Sequence, residues 1–174
     1  VLIIKSGQFL KSSEKKLLRR FTTYVMDHFV APAVQEQSTI VIRFVDPRTL
    51  KGQERKEMVE YKAWMTYDGI DHGKKHFTIS VSTNEVTSRK RMKSTMKKLR
   101  EAMLCIGHEL VHVKQVLNHE SFDYANGDVR YKGKRYTNWS EGEKYYFSPW
   151  EIESYGHELG LYKVFEMKEE AKAK

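Results

Sequence analysis

The chain has 174 residues, of which 40% are hydrophobic and 12% aromatic, with a net charge of +8 and a pI near 9.4. That length and composition fit one globular domain with a real core, and exclude a disordered or fibrous chain. No apolar run approaches the ~20 residues of a membrane span, and one cysteine excludes an intrachain disulfide.

Val1-Leu2-Ile3-Ile4 is too short for a signal-peptide core and is followed by Lys5. With a single cysteine, this suits a reducing cytoplasm. Because the chain begins without Met, a few residues are expected before Val1. Ser13 through Val30 reads as a helix, with Ser13 as its cap and Leu17, Leu18, Phe21, Val25 and Phe29 on one face; Pro32 ends it. Thr39 through Val45 is rich in β-branched residues and reads as a strand. Asp46-Pro47 marks a turn, and a polar, charged stretch follows to Glu57. Tyr61 through Tyr67 alternates and reads as a second strand. Asp68-Gly69 and His72-Gly73 bracket a turn. His76 through Ser82 is a third strand, with Phe77, Ile79 and Val81 inward and His76, Thr78, Ser80 and Ser82 outward.

Met92, Met96, Leu99, Met103, Ile106, Leu110, Val113 and Leu117 then recur at steps of four and three, the apolar stripe of a long helix. On its opposite face lies His108-Glu109-Leu110-Val111-His112. Four helical residues turn the chain by about 400°, so both imidazoles share one face, about 6 Å apart along the axis. That spacing lets both bind one Zn²⁺. Glu109 lies about 100° round the helix, where it reaches a water on the metal without ligating it. A shuffled chain with the same seven His would show about 0.03 such matches. Cys105 lies three residues before His108 but two turns from His112, so it is expected to pack beside the site rather than ligate.

A tetrahedral catalytic site needs a third protein ligand and one open position. Ser148 can cap a helix that starts at Pro149. On that helix Glu151 is preferred as the ligand, ahead of Glu153 and His157. Glu151 and Glu153 are two residues apart and point to opposite sides, so only one can serve. The losing carboxylate, and Glu158, are expected to be solvated. Residues 120–148 lack a clear period and hold many aromatics; Val129-Arg130-Tyr131 and Arg135-Tyr136-Thr137 suggest a hairpin. This region reads equally as a cover over the cleft or as aromatic packing. The layout is α+β, with helices on one face of a small mixed or antiparallel sheet.

The run Leu104 through Gln115, followed by Pro149 through Gly156, resembles the gluzincin class of metallopeptidases. It looks most like the small single-domain members, the minigluzincins, and in particular metallopeptidases encoded by bacteriophages. The likeness covers roughly residues 99–162. The metzincin continuation is absent, since Gln115 and Asn118 stand where it needs Gly and His. In the gluzincin class the third ligand is a Glu on a later helix, in a Glu-x-x-Ala frame that Glu151 and Ser154 match with Ser in place of Ala. The resemblance implies one zincin-like domain over residues 1–174 and a peptide or protein substrate. It further implies an edge strand at residues 76–82 beside the cleft, pairing with that substrate. It points to a host cytoplasm or a virion, with other phage proteins as partners.

The expected mechanism is zinc-dependent peptide hydrolysis. His108, His112 and Glu151 hold the metal, Glu109 is the general base, and Tyr155 and His157 are candidate oxyanion donors. Two rivals remain: a catalytically silent, zinc-stabilised structural protein, and a DNA-associated protease guided by Arg89-Lys90-Arg91, Lys93, Lys97, Lys98 and Arg100. A nucleic-acid footprint is the less favoured reading of that segment. No aromatics interleave the charges, and a solvated helix face explains them.

Overall fold

Short runs of β-branched and aromatic residues build a four-stranded sheet. The computed structural model describes residues 1–85, 96–140 and 142–172. Its strands are β1 (Leu2–Lys5), β2 (Ser38–Val45), β3 (Ala63–Asp71) and β4 (Lys74–Ser82), in the order β1-β2-β4-β3. β1 and β4 run parallel to β2, and β3 runs antiparallel to β4. The sheet is mixed, as expected, but has one more strand than periodicity indicates. β1 spans only four residues and is defined by its pairing, from Leu2 with Ile40 to Lys5 with Arg43.

The register corrects the expected edge strand. β4, which contains residues 76–82, is an inner strand between β2 and β3. The strand beside the cleft is β3. Two local readings change with it. The β3–β4 turn is at His72-Gly73 alone, where both φ angles are positive (47° and 74°). Asp68-Gly69 lies within β3, where the register shifts between Tyr67 and Gly69. Ser80 and Ser82, expected outward, are buried: Arg43 Nε donates to Ser80 Oγ at 2.8 Å, and helix α3 (Gly52–Glu60) touches β4. That helix occupies the charged stretch in which no helical stripe is visible.

Helix α1 (Ser12–Phe29) links β1 to β2 through a short α2 (Pro32–Glu36) that starts at the expected proline. Ser13 is inside α1, not its cap; the Glu14 carboxylate accepts the Lys11 backbone N–H at 2.7 Å. Helices α4 (Met96–Leu117) and α6 (Pro149–Lys172) complete the layer on the sheet. Leu18, Phe21 and Val25 of α1 join Ile42, Phe77, Ile79 and Val81 of the sheet, Leu99, Ile106 and Leu110 of α4, and Phe165 of α6 in one core. The predicted stripe holds from Leu99 to Leu117. Met96 is exposed, and Met92 lies outside the described residues. Gly107 lets α1 approach α4: a Cβ there would come within 3.3 Å of Phe21 Cζ.

After α4 the chain makes a second, three-stranded antiparallel sheet: β5 (Ser121–Asp123), β6 (Val129–Tyr131) and β7 (Lys134–Tyr136). The expected hairpin is β6–β7, turning through Lys132 and Gly133 with positive φ. Val129, Tyr131 and Trp150, with Tyr136 and Trp139 against them, form a small aromatic core that fastens this sheet to the start of α6. A short α5 (Glu143–Tyr146) leads into α6. Ser148 precedes Pro149 as expected, but its hydroxyl donates to the Tyr145 carbonyl at 2.7 Å rather than capping the helix. Among the described residues, no helix is long and apolar enough to cross a membrane.

Candidate metal centre

The face of α4 opposite the sheet packs against the first turns of α6, and three side chains meet there. His108 Nε2 lies 3.2 Å from Glu151 Oε2, His112 Nε2 lies 3.3 Å from Glu151 Oε1, and the two Nε2 atoms are 3.3 Å apart. Tetrahedral zinc with ligands at 2.0–2.1 Å requires ligand atoms about 3.3–3.4 Å from one another. The two imidazole nitrogens stand at that spacing, and each is as close to one oxygen of the Glu151 carboxylate; one ligand atom from each residue lies within 4.8 Å of the others. The three residues are buried or nearly so, with Glu151 only 3% exposed. The residues present therefore fit a small divalent cation with nitrogen and oxygen ligands.

Each imidazole is held from behind. His112 Nδ1 lies 2.9 Å from Gln115 Oε1, and since an amide oxygen only accepts, Nδ1 carries a proton and Nε2 is the nitrogen left to take a metal ion or a second proton. His108 Nδ1 lies 3.3 Å from Glu158 Oε2. Such partners orient ligating histidines and fix their tautomer. Glu158 is thus not the solvated carboxylate expected from sequence.

The electrostatics favour positive charge at this point. Burial would lower the pKa of His108, but Glu151, Glu158 and Glu109 reverse this and lift it to about 9. His112 is raised against its own desolvation by the Glu151 and Glu109 carboxylates. For Glu151, burial acts upward, but the two histidines prevail and hold it at about 2. Glu109 is pushed up by burial, opposed by the histidines and by a hydrogen bond from the Met65 backbone on β3.

Glu153 turns the other way. It accepts from Gln115 Nε2 (2.8 Å), Tyr131 OH (2.7 Å), Lys114 Nζ (3.0 Å) and Lys132 Nζ (3.0 Å). It is neither a ligand nor a solvated group. Burial would raise its pKa, but these donors overcome that and hold it at about 2.

The two candidate oxyanion donors part company. Tyr155 packs its ring on His108, centroids 4.5 Å apart, and burial with the nearby Glu151 pushes its pKa up to about 12. His157 is not brought to the cluster; its ring packs edge-on against Phe29 at 5.0 Å. Tyr145 of α5 takes a place that sequence reasoning did not assign. Burial and Glu151 raise its pKa, and its hydroxyl is hydrogen-bonded to that carboxylate. Nothing local distinguishes Tyr145 from the other aromatics of its segment. Cys105 borders a neighbouring cavity with His108, Glu109 and Tyr155 and is not in the metal triad.

A cavity of about 330 Å³ opens over the triad, between β3, the β5–β7 sheet and α5. Ala63, Trp64 and Met65 form one wall; Asp123, Trp139 and Tyr145 form the other. The region 120–148 thus fulfils both readings: it is packed by aromatics, and it walls the cleft. His76 does not line the cavity. Of the basic segment, residues 89–93 lie outside the described residues. Lys97 and Arg100 are exposed on α4, with Arg100 over the Tyr162 ring.

Comparison with known proteins found no matching family model, no matching curated protein and no matching solved structure. What stands is an α+β domain with a buried two-histidine, one-glutamate cluster that can hold a metal ion.

Proposed function

We propose that the chain is a zinc-dependent peptidase of gluzincin type, with His108, His112 and Glu151 as metal ligands and Glu109 as general base. The observation that carries this reading is the pair of Nε2 atoms 3.3 Å apart, each 3.2–3.3 Å from one oxygen of Glu151, with an unligated, buried carboxylate beside them. Two imidazoles and one carboxylate at that size suit zinc better than calcium or magnesium, which prefer all-oxygen sites with more ligands.

A bound Zn²⁺ would polarise the scissile carbonyl and lower the pKa of a water toward about 7. The Glu109 carboxylate accepts the proton of the attacking water as the new C–O bond forms. It returns that proton to the amine nitrogen as the C–N bond breaks. The Met65 N–H keeps Glu109 aimed toward the cleft. Tyr155 stays protonated at neutral pH and can donate to the developing oxyanion, while the Tyr145 hydroxyl gives its proton to Glu151 and steadies that carboxylate. β3 is an edge strand, so its outer side offers backbone groups to an extended peptide with little regard to side-chain identity.

The test is hydrolysis of an unfolded protein by the purified chain, with and without chelator, beside elemental analysis. About one zinc per chain is expected. Glu109→Gln should keep the metal while activity falls by about 10²–10⁴-fold. Chelator-insensitive hydrolysis, or full activity in Glu109→Gln, would sink the assignment. A zinc-loaded protein that hydrolyses nothing would point instead to a structural metal.

A further inference from the structure

We infer that the cavity over the metal centre is a subsite for a cationic side chain, lysine or arginine, with Asp123 as its charge partner. The inference rests on the peptidase reading and names its substrate preference. Three observations carry it.

The first is charge. Glu109, Glu151 and Asp123 all line the cavity, and no lysine or arginine does so among the described residues, in a chain of net charge +8. Glu151 belongs to the triad and Glu109 stands beside it, whereas Asp123 is on the opposite wall and belongs to neither. The second is availability. The Asp123 carboxylate has no hydrogen-bond or ion-pair partner among the described residues and meets only the longer-range pull of His112, whereas the acidic side chains near it are engaged. Asp128 pairs with Arg135, and Glu120 and Glu153 pair with Lys114 and Lys132. It sits exposed at the end of β5, where an incoming ligand can reach it. The third is the lining. Tyr61, Trp64, Trp139 and Tyr145 border the same space, and aromatic faces attract ammonium and guanidinium groups. At about 330 Å³ the cavity is at the small end for a ligand site, suited to one side chain rather than a whole small molecule. Aromatic walls alone would favour an apolar side chain. Asp123 tips the choice, because an apolar group would bury its carboxylate without a partner.

The chain carries its own reporter, since all three tryptophans line this cavity. Zinc-loaded protein is titrated with Nα-acetyl-lysine methylamide and with its norleucine twin, following tryptophan fluorescence. The lysine compound should bind about tenfold tighter, and the gap should shrink as salt rises, because the carboxylate lies at the rim. Asp123→Asn should bring the two within about twofold of each other. Equal binding in the unsubstituted protein, a gap that survives Asp123→Asn, or no binding of either compound overturns the subsite. None of these readings needs turnover. Failure to hydrolyse unfolded protein therefore counts against the peptidase assignment alone. Where hydrolysis occurs, cleavage-site profiling should show Lys or Arg enriched at one fixed position beside the cut bond.

Discussion

Glu151 and Glu153 stand two residues apart on α6 and face two polar clusters built differently. Around Glu153, two lysines and two carboxylates balance: Lys114 and Lys132 against Glu120 and Glu153. Around Glu151 the carboxylates of Glu109 and Glu158 join it, and among the described residues the two histidines oppose them. One cluster is electrostatically complete within the protein. The other is satisfied only by taking up positive charge, as protons on the histidines or as a metal ion. Two glutamates of one helix thus serve opposite ends. The identity of the cations facing each one tells them apart.

The strongest way to break this contrast is to remove each carboxylate in turn. Glu151→Ala should weaken zinc binding by more than the about 100-fold that loss of an outer partner costs, read by competition with a chromogenic chelator. If Glu153→Ala had that effect instead, the ligand assignment would be wrong. Next in size is metal removal. At zinc concentrations about 100-fold above Kd the holo-protein gains about 2.7 kcal/mol. Chelation should then lower Tm by about 5–10 °C in a domain of this length, and the same treatment should leave Glu151→Ala unmoved. Glu153→Ala should keep its zinc but lose about 2 kcal/mol in denaturant unfolding, because Gln115, Tyr131 and the lysines lose a shared acceptor.

The part of the site that could be read in advance is the part encoded within one helix. His108, Glu109 and His112 are related by helical geometry alone, so spacing sufficed. Glu151 was separable from Glu153 by frame, but the reason it wins is tertiary: Lys114 and Lys132 claim the alternative. Glu158 reads as solvated in the sequence because nothing local shows that α6 keeps its third turn against His108. Tyr145 reaches Glu151 from a four-residue helix with no signal of its own. In the fold, β3 and β4 are visible by their alternation and β2 by its β-branched residues, whereas β1 has four residues and is made a strand by β2. α3 presents chiefly Met58 to the interior, too little for a stripe. The order of strands is a long-range property. For that reason the resemblance places the cleft-side role at residues 76–82, whereas pairing puts β3 at the edge.

Gln115 joins the two clusters and gives the smallest and most diagnostic effect. Its Oε1 accepts from His112 Nδ1 at 2.9 Å, while its Nε2 donates to Glu153 Oε2 at 2.8 Å and to the Trp150 carbonyl at 3.0 Å. Gln115→Met keeps a flexible side chain of similar length and removes all three bonds. Ser154 Oγ, 3.4 Å from His112 Nδ1, can still accept that proton, so the imidazole is not abandoned. Zinc affinity should therefore fall by about tenfold, the lower end for an outer partner, and not by the larger factor expected of Glu151→Ala. The second outcome to measure is coupling. If the clusters communicate through this amide, the stability cost of Gln115→Met and Glu153→Ala together should fall short of their sum, since both remove the same bond. Strict additivity would mean that the amide serves His112 alone and that the balanced cluster is indifferent to it.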